Sequence, residues 1–422
     1  MGYDISRRCI MDGKAVSYRY RITPTKHFVI SIQSLYIVIV LGTVFFRVFQ
    51  GLYGSWISAD WFGGVATAIR YLIVLCLLAI LFLEGRMTGI KALLVLALVI
   101  LLIFGYQKAL VTGLMLVISY PSGLNSKKLV KYIAISLIVE LVLAVFLSQV
   151  GVINDFVSSR LGGTRVRHSF GFVTASAFSA FYTVIVLCIT YEKFEILRIR
   201  DIIFLELGGL VVYYYTDTRL GLLLVTFDTL VCLIFILGRN YFYWHGSFFS
   251  NFSFIPYVIS AIFSIGSTIY LSHRIGSSLY FYLNTLLSGR INHQVWYYKN
   301  YGIHFWGSET ELVGRVEQYL TGKAWNGVDN SYIFTLITYG IFGLLVVSSL
   351  FWIIAKYARK YKRHDLGVYL TMLAIMGITE AIFNDLPYNL AFLLAGEIVS
   401  ENINDAGQKI PNITITWFHG RK

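Results

Sequence analysis

The chain has 422 residues, of which 57% are hydrophobic and only 14% charged, against roughly 25% charged in a soluble domain. Its formal net charge is +13 and its mean hydropathy +0.69. The balance excludes a set of soluble domains. It also removes the nucleic-acid partner that +13 would otherwise suggest, because most of the basic residues fall between apolar runs, as loop placement in a membrane protein dictates.

About 27 polar and basic residues precede the first apolar run, so no cleavable signal peptide is expected. The start Met1-Gly-Tyr-Asp-Ile-Ser6 matches a myristoylation pattern and is taken as a chance match. Apolar runs follow at 29–46, 64–83, 90–105, 109–121, 132–150, 172–190, 202–216, 220–237, 255–272, 331–355, 367–383 and 386–399. At roughly 20 residues per crossing they predict an all-α, polytopic bundle of about twelve transmembrane helices in one domain. All five prolines lie at run edges or outside runs, which predicts unbroken helices.

Lys and Arg set the orientation. Arg7, Arg8, Arg19 and Arg21, then Lys127, Lys128 and Lys131, then Lys193, Arg198 and Arg200, and the run Lys356 to Arg363 share one side. That side is expected to be cytoplasmic and to hold both termini. The two long segments on the other side are 151–171 and 273–330. In the second, Leu279, Leu283, Leu286 and Leu287 have helical spacing, which predicts a helix along the membrane surface.

Arginines on this outer side break the usual charge rule. The first segment holds Arg160, Arg165, Arg167 and His168 among glycines. Arg219 ends Thr216-Asp217-Thr218-Arg219 at the head of a run. Guanidinium groups keep their charge and bind phosphate through a planar fork, so the pattern points to an anionic ligand, with lipid headgroup contacts as the simpler reading. The second segment supplies Arg290, the aromatic residues Trp296, Tyr297, Tyr298, Tyr301, Phe305 and Trp306, and the sequence Asp329-Asn330-Ser331-Tyr332. These side-chain types stack on sugar rings and hydrogen-bond hydroxyls, although an aromatic belt has the same composition. Glu140, Glu206, Asp228, Glu380 and Glu397 lie within runs and are read first as interhelical hydrogen-bond partners, with proton relay as the alternative.

Four scattered cysteines, Cys9, Cys76, Cys188 and Cys232, make neither a disulfide framework nor a zinc site. No phosphate-binding glycine loop, HExxH, GxSxG or Asp-x-Asp pair occurs. The motifs therefore give no support to a metal-assisted or nucleotide-sugar mechanism, and arginine would have to stabilise any phosphate charge.

Four motifs, in order, carry a family resemblance: Arg165-Val-Arg-His-Ser-Phe-Gly-Phe172, Thr216-Asp-Thr-Arg219, Leu287-Ser-Gly-Arg290, and Asp329-Asn-Ser-Tyr332 followed by Tyr339-Gly340. Over roughly residues 130–395 the chain resembles bacterial O-antigen polymerases, the Wzy class, which are related to O-antigen ligases. Where relatives often carry a His-Pro-Asn-like segment after Ser-Phe-Gly-Phe, this chain has Thr174-Ala175-Ser176. The histidine usual in ligases near Asp329-Asn330 is missing, which favours the polymerase branch.

The resemblance implies a GT-C-like membrane glycosyltransferase of the bacterial cytoplasmic membrane. It would move a growing glycan from undecaprenyl diphosphate to a new lipid-linked repeat unit, with no cofactor and no nucleic acid. Its partners would be those lipid-linked units, the bilayer, a flippase and a chain-length regulator. Arg167, Arg219 and Arg290 would be catalytic. Arg160, Arg165, His168, Asp217, Trp296, Tyr301, Asp329, Asn330 and Tyr332 would bind substrate. The base is left open among His168, His293, His304, Glu309 and Asp329. An O-antigen ligase is the near alternative. A secondary transporter is the distant one, which discontinuous helices would favour.

Overall fold

The computed structural model describes residues 5–11, 14–20, 28–52, 60–85, 87–104, 109–159, 165–238, 248–287, 289–311, 327–401 and 412–415. It is a helical bundle: α1 (Ile32–Gly51), α2 (Asp60–Glu84), α3 (Gly89–Phe104), α4 (Ala109–Ile118), α5 (Ser126–Gln149), α6 (Ala175–Lys193), α7 (Ile199–Thr216), α8 (Arg219–Leu237), α9 (Phe248–Asn251), α10 (Ile255–Ser272), α11 (Ser278–Leu286), α12 (Arg290–Tyr301), α13 (Ser331–Thr338), α14 (Gly340–Tyr361), α15 (His364–Thr379) and α16 (Ala391–Glu401). Seven of these, α1, α2, α5, α6, α8, α10 and α14, are long and apolar enough to cross a membrane. Every apolar run read from the sequence falls on a helix.

The helices carry one buried stripe and an apolar outer face. In α1, Tyr36, Val40, Val44 and Val48 recur every fourth residue and are buried, while Val38 and Phe45 are exposed. In α2, Phe82 is 80% exposed. Large exposed apolar side chains along whole helices are stable where the solvent is lipid. The helix α6 is the most buried of the seven and packs against α5, α7, α8 and α15. Its N-cap is Thr174, whose Oγ1 accepts from the Ala177 N–H at 3.3 Å; this polar cap is what the Thr174-Ala175-Ser176 departure supplies locally.

Strands absent from the sequence reading flank the bundle: β1 (Ile5–Met11) pairs with β2 (Lys14–Tyr20), and β3 (Phe28–Ser31) with β6 (Asn412–Ile415), both antiparallel. The second pair sets the C-terminal strand beside the entrance to α1. We call that the proximal end of the bundle, and the end where α1 finishes and α6 begins the distal end. A third pair, β4 (Ser158–Ser159) with β5 (Val166–Arg167), lies at the distal end. The predicted surface helix is α11, with Leu283 and Leu287 packed on Leu271, Tyr280, Ile291 and Val295.

The expectation of unbroken helices is not met. The run 331–355 divides into α13 and α14 at Gly340, where φ is +74° and a Cβ would lie 2.2 Å from the Phe305 carbonyl oxygen. Between α15 and α16, residues 380–390 return along the bundle without regular helix: the Leu390 N–H donates to the Tyr369 hydroxyl, in the second turn of α15. Side chains satisfy the freed backbone. Ser331 Oγ donates to the Glu380 carbonyl at 2.6 Å and accepts from the N–H groups of Ile382 and Phe383. Asn389 Nδ2 donates to the Phe383 carbonyl.

Candidate functional site

The distal arginines fall into two groups. The first surrounds the C-terminal end of α7. A helix leaves its last carbonyls without intrahelical donors, and cations are favoured there. Here β5 and the residue after it supply the donors: the His168 N–H reaches the Tyr215 carbonyl at 2.9 Å, and Arg167 Nε reaches the Thr216 carbonyl at 2.9 Å. The C-cap, Asp217, is buried in left-handed conformation with φ +46°, which Asp tolerates better than most residues. The chain then turns at once into α8, whose first residue is Arg219. Arg165 stands over the Tyr213 ring at 5.9 Å. Tyr213 and Arg219 in turn line an open groove of about 420 Å³ whose remaining walls are Leu222, Leu223, Thr226, Phe227 and Leu230. Arg165, Arg167, His168, Asp217 and Arg219 are therefore gathered around one helix end. Arg160 lies outside the described residues.

The loop before β5 is organised by Asp155, a residue the sequence reading missed. Its Oδ1 accepts the N–H groups of Ser169 (2.8 Å) and Phe170 (2.9 Å), and its Oδ2 pairs with His168 Nδ1 at 2.6 Å. Burial works to raise the Asp155 pKa, but these hydrogen bonds and the His168 ring outweigh it and hold the carboxyl below its usual range. His168 is thus engaged from both sides, through its ring and its backbone. Phe170 is left-handed and Gly171 follows at φ +85°; a Cβ on Gly171 would fall 2.1 Å from Ile153 Cδ1, so no other residue fits this turn.

The second group surrounds Arg290, the first residue of α12. Its Nη2 donates to Glu380 Oε1 at 3.0 Å, and its Nε lies 3.6 Å from Asp329 Oδ2. The three side chains are 14%, 21% and 37% exposed for Arg290, Glu380 and Asp329. Nearby, Arg47 at the end of α1 pairs with Asp385 at 2.5 Å; neither was singled out in the sequence. Tyr388 feels the charges of Arg47, Asp385 and Glu380, and its ring stacks on Phe181 at 4.9 Å. Phe181 meets Phe172 at 5.4 Å, so an aromatic wall runs from the first group's loop to the second group.

Several expected ligand contacts are committed to the fold instead. Asn330 is 1% exposed: its Oδ1 caps α13 at the N–H groups of Tyr332 and Ile333, and its Nδ2 donates to Ser264 Oγ and the Ile378 carbonyl. Tyr332 is 0% exposed and donates to the Ala374 carbonyl at 3.0 Å. These two expected substrate contacts are instead engaged in the fold: Asn330 caps α13 and ties it to α10 and α15, and Tyr332 ties it to α15. Trp296 is exposed on α12 and Tyr301 ends it, about 9 and 16 Å along the helix axis from Arg290 at the standard rise. Their rings meet edge to face at 6.1 Å. The groove lined by Arg219 includes neither Arg167 nor Arg290.

Chemically, the first group offers cationic donors at the head of an apolar groove. The second offers two carboxylates sharing one guanidinium. No family model and no curated protein matches the chain.

Proposed function

We propose that the chain is a GT-C-like glycosyltransferase of the bacterial cytoplasmic membrane, with the distal end as its outer face. It would extend a polysaccharide by moving the glycan from undecaprenyl diphosphate to a new lipid-linked repeat unit. The observation that supports this best is Arg219 at the head of the apolar groove on α8, with Arg165 and Arg167 around the same helix end. From Arg219 to Leu230 the groove follows α8 for about 16 Å. An amphiphile with a strongly anionic head and a hydrocarbon tail fits a cation set at the end of such a slot, and a lipid diphosphate is one.

In this reading an acceptor sugar hydroxyl attacks the anomeric carbon of the donor sugar, the bond to the diphosphate oxygen breaks, and the diphosphate leaves with the electron pair. Arg219 and Arg165 neutralise the charge as it grows, the contribution that fixed charge makes to a transition state. Arg167, bonded to the Thr216 carbonyl, ties β5 to the end of α7.

Charge-conserving substitution tests the assignment. Lysine keeps the charge and loses the fork, so Arg219→Lys as well as Arg219→Ala should cut polymer formation by roughly 10²-fold or more. Gels of lipid-linked glycan would then show single repeat units in place of long chains. Full-length polymer from well-expressed variants would sink the assignment. Product identity separates polymerase from ligase: longer lipid-linked chains, against polymer joined to a different lipid.

A secondary transporter is the second reading, and the interrupted α13–α14 and α15–α16 segments favour it, since transporters bind substrate at broken helices. Vesicles that accumulate lipid-linked units without lengthening them would establish that reading.

A further inference from the structure

Resting on the glycosyl-transfer reading, we propose that Glu380 is the catalytic base that takes the proton from the attacking sugar hydroxyl. The starting observation is a charge mismatch. Arg290 carries one positive charge and faces two carboxylates, Glu380 at 3.0 Å and Asp329 at 3.6 Å. One guanidinium cannot neutralise both, so the group is unsuited to gripping a diphosphate, and the role expected of Arg290 changes. Two carboxylates held at one site do not ionise equally; one is pushed toward the protonated state. That is the arrangement a general base near neutral pH requires.

Glu380 is the better placed of the two. It sits where α15 ends, and its backbone is fixed on both sides: its N–H donates to the Met376 carbonyl, and its carbonyl accepts from Ser331 Oγ at 2.6 Å. Among the described residues its Oε1 takes the Arg290 bond, which leaves Oε2 as the oxygen to meet a hydroxyl. Arg290 Nε lies 3.6 Å from Asp329 Oδ2 and, among the described residues, makes no hydrogen bond, so the guanidinium leaves the second carboxylate unsatisfied. The groups facing Glu380 are Arg290 from α12, Asp329 before α13, and Tyr388, which also interacts with the Arg47–Asp385 pair. The step balances: the hydroxyl oxygen bonds the anomeric carbon, its proton moves to Glu380, the diphosphate leaves with the electron pair, and Glu380 later gives the proton to water.

The test uses full-length protein in proteoliposomes, supplied with lipid-linked repeat units extracted from source cells that lack this gene. The wild-type rate should fall toward acid pH with a midpoint above the ordinary carboxylate range, that is above about pH 5. Glu380→Gln, which can still hydrogen-bond to Arg290, should lose roughly 10²–10³-fold and lose the acid limb. Asp329→Asn removes the negative charge that lifts Glu380, so its acid limb should shift to lower pH, which a merely structural role would not produce. If Glu380→Gln fails to fold, the Asp329→Asn profile decides alone. A folded Glu380→Gln protein within threefold of wild type, or an unmoved Asp329→Asn limb, overturns the proposal. Wild-type protein that makes no polymer overturns the transferase reading itself, and this proposal with it.

Discussion

At the scale of single residues, partners decide what each arginine does, and most partners are remote in sequence. The arginines themselves were readable, because a guanidinium at the end of an apolar run stands out against the charge rule. Their counter-groups were not: Arg290 meets Glu380 across 90 positions and Arg47 meets Asp385 across 338, and no local pattern encodes such approaches. Asp155 is nearer, 13 positions from His168, yet an Asp in a turn-rich loop has many local uses. Its several hydrogen bonds yield a direct expectation. Asp155→Ala should destabilise the protein by about 1.5–3 kcal/mol, the range for hydrogen bonds to a charged group, read as a lower melting temperature. Because the folded carboxyl titrates below its unfolded value of about 3.9, this contribution is complete above that pH. It disappears as the pH falls through the folded value. Melting temperatures of wild type and Asp155→Asn should therefore converge only below about pH 4. A gap that persisted undiminished far below about pH 4 would mean that the Asp155 charge is not what holds the loop.

At the scale of elements, the apolar runs translated into helices because the bilayer leaves the backbone few alternatives. The breaks did not translate. Residues 331–355 read as one apolar run, and what divides them is tertiary, Gly340 against the Phe305 carbonyl; residues 380–390 do carry a polar signal in Glu380, Asn384, Asp385, Pro387 and Asn389, but that Ser331 would hold their backbone was not legible. The β1–β2 pairing was not read from the sequence, where the surrounding basic charge marked the segment as a polar terminus. The motif Asp329-Asn-Ser-Tyr332 is divided accordingly: Asp329 faces Arg290, while the next three residues hold the broken helices together. Ser331→Ala leaves the Ile382 and Phe383 N–H groups without their acceptor and should cost about 1–3 kcal/mol for each buried donor left unpaired. Hydrogen exchange at those two amides should rise by one to several orders of magnitude, with exchange in α1 and α5 unchanged. Uniform acceleration along the chain would instead mean that the break is not an independent unit.

At the scale of the whole molecule, the two arginine groups gain meaning only if they share one face of the membrane. The fold supplies an internal reference: β3 pairs with β6 beside the start of α1, so the chain segments flanking the bundle meet at the proximal end. The cationic turns lie at that same end. Arg363 grips Asp365 through Nε and Nη2 at 2.9 and 2.8 Å, and Lys127 joins the same carboxylate at 3.1 Å. Fixed positive charge is retained on the cytoplasmic side during insertion; in the proposed orientation Arg47, Arg167, Arg219 and Arg290 would therefore lie on the opposite side, where a lipid-linked glycan would arrive. Single cysteines in a background lacking Cys9, Cys76, Cys188 and Cys232 test this directly. Val157→Cys on the distal loop should react with a membrane-impermeant maleimide in intact spheroplasts, and Arg200→Cys should react only after permeabilisation; both positions are exposed. The reverse labelling would turn the groove on α8 and the Arg290 cluster toward the cytoplasm. An extracytoplasmic polymerase would then be untenable, because neither group could meet a substrate carried on the outer leaflet.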